Sequence, residues 1–192
     1  MTLSPDRVLP SRVQLEACES YQKQSYRNRC LILAADGPQM LQVPVVHGVS
    51  KTITHIMVDY STPWIPKTER ALDTAYETAA WYEYYRDGLF ALLDARPETL
   101  WELNLSLIRW CLERTGIACE LSPTADFTAP DSVADDWRFA IHPKRPCTVL
   151  ADMGLDRPYY QVFQDRLEGF TPGLSILDLL FNEGPDSISW LK

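Results

Sequence analysis

Asp178 and Asn182 stand one turn apart on the apolar run Leu174-Ser175-Ile176-Leu177-Asp178-Leu179-Leu180-Phe181-Asn182. Polar groups on so apolar a helix cost free energy until something satisfies them. Two readings fit Asp178. Its spacing from Ser175 is that of a capping box with Asp in place of Glu, and Gly184-Pro185 then supplies the stop. Alternatively it is a functional carboxylate, accepting hydrogen bonds from Lys23, Arg29 or Tyr21 beside a ligand. Asn182, with Glu183, is in the same way either a C-terminal capping residue or an amide that orients a ligand.

A second group is His142-Pro143-Lys144 with Arg138 four residues earlier, two cations and an imidazole in a polar loop. Histidine titrates near neutrality and is the natural proton-transfer group, although a lone histidine also serves in structure. A third group is Tyr21 to Arg29, which holds Lys23, Arg27 and Arg29 with no acid among them. Such a basic patch suits an anionic small ligand, and a solvated strand and turn would read the same way. Lys23 and Arg29, both odd-numbered, would share one face of a strand, near the Asp178 helix. Asn104 lies on the stripe Leu100, Leu103, Leu107 and Cys111, so its amide either tethers a neighbouring backbone or reaches into a cleft. Cys18 as a nucleophile with His142 as its base has no local support. Phosphate-binding glycine loops, GxSxG elbows and HExxH are absent, and His47 and His55 have no partner at metal-ligand spacing.

Positioning these groups falls to one domain of 192 residues, with 46% hydrophobic and 11% aromatic residues. The net charge of −8 and pI near 4.9 argue against nucleic acid as partner. Five scattered cysteines show neither CxxC nor zinc spacing, so the reading is reduced thiols, no metal and no cofactor. No secretory segment opens the chain and no apolar run is long enough to span a bilayer, which predicts a cytoplasmic protein.

Residues 1–12 read as a flexible arm and 13–192 as the domain. Strands are expected at Val13–Ala17, at Arg29–Ala34 and Met40–Val45 flanking Asp36-Gly37 as a hairpin, and at Ile53–Val58. Helical spacing follows Pro66 through Ala79, then Trp81–Leu93, then Pro97 through Arg114 with Gly116 as the stop. Residues 122–135 form a polar loop, and short strands are expected within Ala140–Leu150 and at Tyr160–Phe163. The fold class is α/β, a single domain with a mixed β-sheet and packed helices.

The chain also carries a series of motifs. Tyr21, Lys23, Tyr26, Asn28 and Arg29 enter the hairpin; Val43-Pro44, Trp64, Tyr76, and Leu100 with Asn104 follow. Asp136, Arg138, His142, Pro143 and Lys144 form a further motif, and Tyr160-Gln161 with the Leu-Ser-Ile-x-Asp-Leu-Leu-Phe-Asn-x-Gly ending completes the set. From Glu16 to Leu191 the chain resembles the WbqC-like proteins, in their Bacteroidetes-type branch. That resemblance implies a role in surface polysaccharide (O-antigen or capsule) biosynthesis, with aminoacyl or acyl transfer, as of glycine, onto a sugar precursor. It does not assign residue roles. By residue chemistry, His142 or Asp178 would act as base, and Lys23, Arg29 and Lys144 would hold an anionic donor. Asn28, Asn104 and Asn182 would orient a sugar or nucleotide-sugar, with Tyr21, Trp64, Arg138, Tyr160 and Gln161 completing the binding surface. A non-catalytic module that binds a nucleotide-sugar or an assembly partner is the alternative, and shared polar residues that merely stabilise the fold are a third reading. Two family features are not matched: an aromatic, proline-containing opening segment with a helix, and histidine after the Trp, where this chain reads Ile65-Pro66-Lys67-Thr68-Glu69-Arg70.

Overall fold

The computed structural model describes residues 11–46, 48, 50–133, 135–145 and 147–192. Its strands are β1 (Arg12–Leu15), β2 (Arg29–Ala34), β3 (Gly37–Gln42) and β4 (Glu120–Pro123). Its helices are α1 (Trp64–Tyr76), α2 (Tyr82–Asp94), α3 (Leu100–Thr115), α4 (Val149–Asp152), α5 (Ile176–Glu183) and α6 (Ser187–Trp190). Most of the expected arm, and His47, lie outside the described residues, while Arg12 is already in β1.

The longest helix, α3, follows from its punctuation. Thr99 Oγ1 accepts from the Glu102 N–H at 3.2 Å while the Glu102 carboxylate accepts from the Thr99 N–H at 3.1 Å, a reciprocal box that opens α3. Gly116, at φ 71°, closes the helix in the left-handed conformation. Thr99→Ala is expected to cost about 1 kcal/mol in urea denaturation, and an unchanged midpoint would show that packing alone sets this helix end. Between α1, α2 and α5 the core is aromatic: the rings of Tyr76 and Tyr82 both meet Phe181 edge-on, with centroids 4.9 Å apart. A second core joins Val45, Ile53, Ile56 and Val58 to Trp64 and to Leu100 and Leu103 at the start of α3.

The domain is α/β, and its parallel and antiparallel pairings occur in separate two-stranded sheets. β1 pairs in parallel with β4, about a hundred residues away in sequence, and β2 pairs with β3 across a two-residue Ala35-Asp36 loop. Several expected strands are replaced by turns. Ile53–His55 is a 3-10 turn, and only isolated bridges follow at Met57 and Val58. The apolar spacing Ile53, Ile56, Val58 accounts for this, since a three-residue step fits a turn and a two-residue step fits extended chain. Tyr160–Phe163 contains no strand, because Gln161 is tied to the backbone of Thr171 instead of pairing with a sheet. Within 140–150 the described chain turns and then enters α4.

Candidate functional site

The segment before β2 sets up the site. It is a run of turns with Gln24 at φ 58°, so the strand alternation that would have placed Lys23 and Arg29 on one face does not exist there. Lys23 is exposed in that turn. Arg27 is neutralised by Glu19, just outside the acid-free window, through two short bonds of 2.6 and 2.7 Å. Arg29, like Lys23, has no ion pair with an acid among the described residues; its Nη1 lies 3.8 Å from Met40 Sδ. Tyr21 is half-buried against the second core rather than beside Asp178.

Asn28 and Arg29 help to line a cavity of about 210 Å³ between the hairpin and the helices. Its aliphatic lining includes Leu72 from α1, Leu89 and Leu93 from α2, Leu107 from α3, and Ile176 and Leu177 from α5. Trp64 and Asn104 join the same wall, so four of the expected binding residues, drawn from three parts of the sequence, meet in one place. Asn28 is 4% exposed; its Nδ2 donates to the Val43 carbonyl at 2.9 Å, which fixes the amide and leaves Oδ1 buried without a partner. Arg29 Nε and Trp64 Nε1 are also buried and unpartnered. Buried polar groups are almost always satisfied, so three orphans on residues that line one cavity make it the candidate site. Asn104 resolves its two readings together: Nδ2 donates to the Arg27 carbonyl at 2.8 Å while the residue also lines the cavity.

Cys30 and Cys111 complete the wall. Burial pushes the Cys30 thiol up to about 11 and Cys111 up to about 12, so both are protonated at neutral pH and serve as small apolar surface.

Asp178 lies elsewhere and is fully buried. Its donors are not Lys23, Arg29 or Tyr21. Tyr76 donates to Oδ1 at 2.7 Å, and Tyr159 and Gln161 donate to Oδ2 at 2.7 and 3.0 Å. The Tyr76 hydroxyl in turn accepts from the Leu33 N–H at 3.0 Å, so the carboxylate ties β2, α1, α5 and the 159–171 segment together. Burial raises the Asp178 carboxyl above its ordinary range, against the pull of these three donors. Burial and the neighbouring carboxylate push both tyrosines well up, keeping them protonated donors. Nor does Asp178 complete a capping box: Ser175 Oγ alone accepts from the Leu177 N–H, at 3.3 Å. Asn182 donates back to the Asp178 carbonyl at 2.7 Å, and its Oδ1 is buried and unpartnered. Gln161 points inward to this hub, whereas Tyr160 points outward and is 56% exposed.

Arg138 belongs to a third cluster. Its guanidinium is held by Asp136, by Glu16 at 3.2 Å and by the Thr128 carbonyl at 2.7 Å, clamping the 124–138 segment to the end of β1. These bonds occupy the cation that the sequence suggested for a ligand. Lys144 is exposed; its backbone N–H donates to His142 Nδ1 at 3.1 Å. In neutral His142 the proton then sits on Nε2, so the ring can donate from Nε2 but has no free lone pair with which to act as base. No bond joins His142 to Asp178. Ile141, its neighbour, lines an outer hollow that shares Tyr26, Arg27, Asn104 and Leu107 with the cavity.

Sequence reasoning missed Tyr76 and Tyr159 as partners of Asp178, and Cys30, Thr68 and Ser175 as cavity wall. The signal for the tyrosines was the buried acid itself, which must find donors of matching depth. Among the described residues, no three His, Cys, Asp or Glu side chains gather as a metal site, and no helix is long and apolar enough to cross a membrane.

No solved structure matches this chain. An uncharacterized protein of Mycobacterium tuberculosis is 28% identical over 194 residues, covering 90% of this chain and 84% of its own length. The WbqC-like protein family matches residues 12–148, well over half of the sequence and including Asn28, Arg29, Trp64 and Asn104. The chain belongs to the WbqC-like protein family.

Proposed function

We propose that the protein binds an anion-bearing small molecule in the cavity between the hairpin and α1, α2, α3 and α5, as a component of surface polysaccharide biosynthesis. One observation carries the reading: Asn28 Oδ1, Arg29 Nε and Trp64 Nε1 are buried without partners on the wall of a single cavity. The outer hollow, with Tyr26, Arg27 and Asn104, is the place for the sugar or nucleotide-sugar part of a conjugate. Binding is the activity that this arrangement supports best. A transferase reading, with aminoacyl or acyl transfer onto a sugar precursor, draws on His142, one residue from the outer hollow. There it would act as a hydrogen-bond donor from Nε2, and it would exchange protons only on leaving the Lys144 turn. Asp178 would contribute by position: it anchors α5, whose first residues Ile176 and Leu177 form cavity wall.

The test is calorimetry of the full chain against carboxylates, sugar phosphates and nucleotide-sugars, repeated with Arg29→Met. Charge-assisted hydrogen bonds contribute about 1.5–3 kcal/mol, so whichever ligand binds is expected to bind at least roughly tenfold more weakly to a normally folded variant. Equal binding by the variant would remove the cavity from consideration. The pathway is tested separately. In a strain whose polysaccharide depends on this gene, Arg29→Met should complement poorly, and full complementation would argue against the proposed role.

A further inference from the structure

The composition of the cavity wall says more than that an anion binds. Resting on the cavity reading above, we infer that the part of the ligand taken inside is a short aliphatic hydroxy acid, not a sugar ring.

Six aliphatic side chains from four helices, with Leu41 and Val43, form the apolar side of the wall, and three of them, Leu72, Leu89 and Leu93, are almost fully buried. A sugar ring placed against that side would bring several hydroxyls against groups that can neither donate nor accept, at a cost for each. An aliphatic chain brings none. Size is consistent with this: a cavity of about 150 Å³ admits benzene, so the present volume admits roughly eight heavy atoms.

The three unpartnered polar atoms specify the other end. Arg29 Nε and Trp64 Nε1 are donors, and with the Arg29 charge they call for an anionic acceptor, which a carboxylate supplies. The Ser175 N–H donates to the Leu31 carbonyl of β2 at 2.8 Å, and Ser175 lines the same cavity as Arg29, so the α5 N-terminus adjoins it. Its partial positive charge acts in the same sense as the guanidinium. Asn28 Oδ1 is an acceptor and calls for a donor on the ligand. An ammonium group there would be desolvated against leucines and would face the like charge of Arg29. A neutral hydroxyl satisfies Oδ1 without either cost.

Calorimetry of the full chain with 2-hydroxyhexanoate, 3-hydroxyhexanoate, hexanoate, norleucine and glucose 1-phosphate tests each part. One of the hydroxy acids is expected to bind tightest, with hexanoate weaker for want of the donor and norleucine weaker still for its ammonium. Along a plain carboxylate series from acetate upward, affinity should rise roughly fourfold per methylene and stop rising once the cavity is full. This series needs no variant and so does not depend on how Arg29→Met folds. Binding of the hydroxy acid should fall at least roughly tenfold in Arg29→Met. Norleucine binding tightest, or no gain from either hydroxyl, overturns the assignment of Asn28. Glucose 1-phosphate binding tighter than every aliphatic acid, in an Arg29-dependent way, overturns this inference and leaves the cavity reading standing. Absence of Arg29-dependent binding throughout overturns both.

Discussion

Gly184→Ala is expected to destabilise the protein by about 4 kcal/mol, a large part of the margin of an ordinary domain. Two effects combine at this position. Gly184 ends α5 at φ 56° and ψ −128°, a conformation that residues with a Cβ rarely adopt. A Cβ built there would also lie 2.3 Å from the Trp81 ring, far inside contact distance. The ring is a poor candidate for yielding, because the Trp81 N–H donates to the Phe181 carbonyl at 3.0 Å and the ring packs against Tyr84. On its other side, the Gly184 carbonyl accepts from Ser187 Oγ at 2.6 Å. Gly116→Ala is the internal control: φ is again positive, at 71°, but nothing lies within 4 Å of the added methyl. That variant should lose only about 1 kcal/mol. Urea denaturation of both variants checks the comparison, and equal losses would show that backbone conformation, not the Trp81 contact, makes Gly184 necessary.

The same two glycines show what was legible in advance. Gly116 after Arg114 and Gly184 after Glu183 are local signals, and the helices end where those residues stand. Local signals fail where the partner is distant. β1 finds β4 across more than a hundred residues, and no spacing within 12–15 names that partner. The turn at Gln24 is a backbone event that side-chain patterning does not encode, and with it went the expected alignment of Lys23 with Arg29. The candidate site divides along the same line. Asn28, Arg29, Trp64 and Asn104, binding candidates on their side-chain chemistry, are gathered by the fold around one cavity. Glu16, Glu19 and Asp136 instead neutralise cations that the sequence offered to a ligand, Arg138 and Arg27. Which charges a protein spends on itself depends on tertiary contacts, and a one-dimensional charge count cannot show it.

Asp178→Ala is expected to cost about 5 kcal/mol, and Asp178→Asn about 2, because the two changes strand different numbers of donors. Alanine leaves Tyr76, Tyr159 and Gln161 without their acceptor in a fully buried place. Asparagine can keep its oxygen toward Tyr159 and Gln161. Its amide then faces the Tyr76 hydroxyl, which already accepts from the Leu33 N–H and can only accept again, so the Tyr76 proton is orphaned. The reverse orientation is worse. Gln161 Nε2, fixed by its bond to the Thr171 carbonyl at 2.9 Å, would meet a second donor. The pH dependence separates charge from shape. Burial raises the folded Asp178 carboxyl above its unfolded value, so ionising it is harder in the folded chain. Its contribution is therefore fully present below about pH 3.9, the unfolded value, and is lost as pH rises through the raised folded value. Asparagine does not titrate. The stability gap between the natural protein and Asp178→Asn should consequently narrow as pH rises through that window, measured by urea denaturation at a series of pH values. A gap that widens instead would show that the three donors outweigh burial and that the site is built for the anion. Ligand binding by Asp178→Asn, measured where it is still folded, adds the functional half. A residue that acts by anchoring α5 should weaken binding through the displaced Ile176–Leu177 wall, so the slope of affinity with chain length should change while the dependence on Arg29 persists. A loss confined to the Arg29-dependent part would place Asp178 in the binding machinery itself.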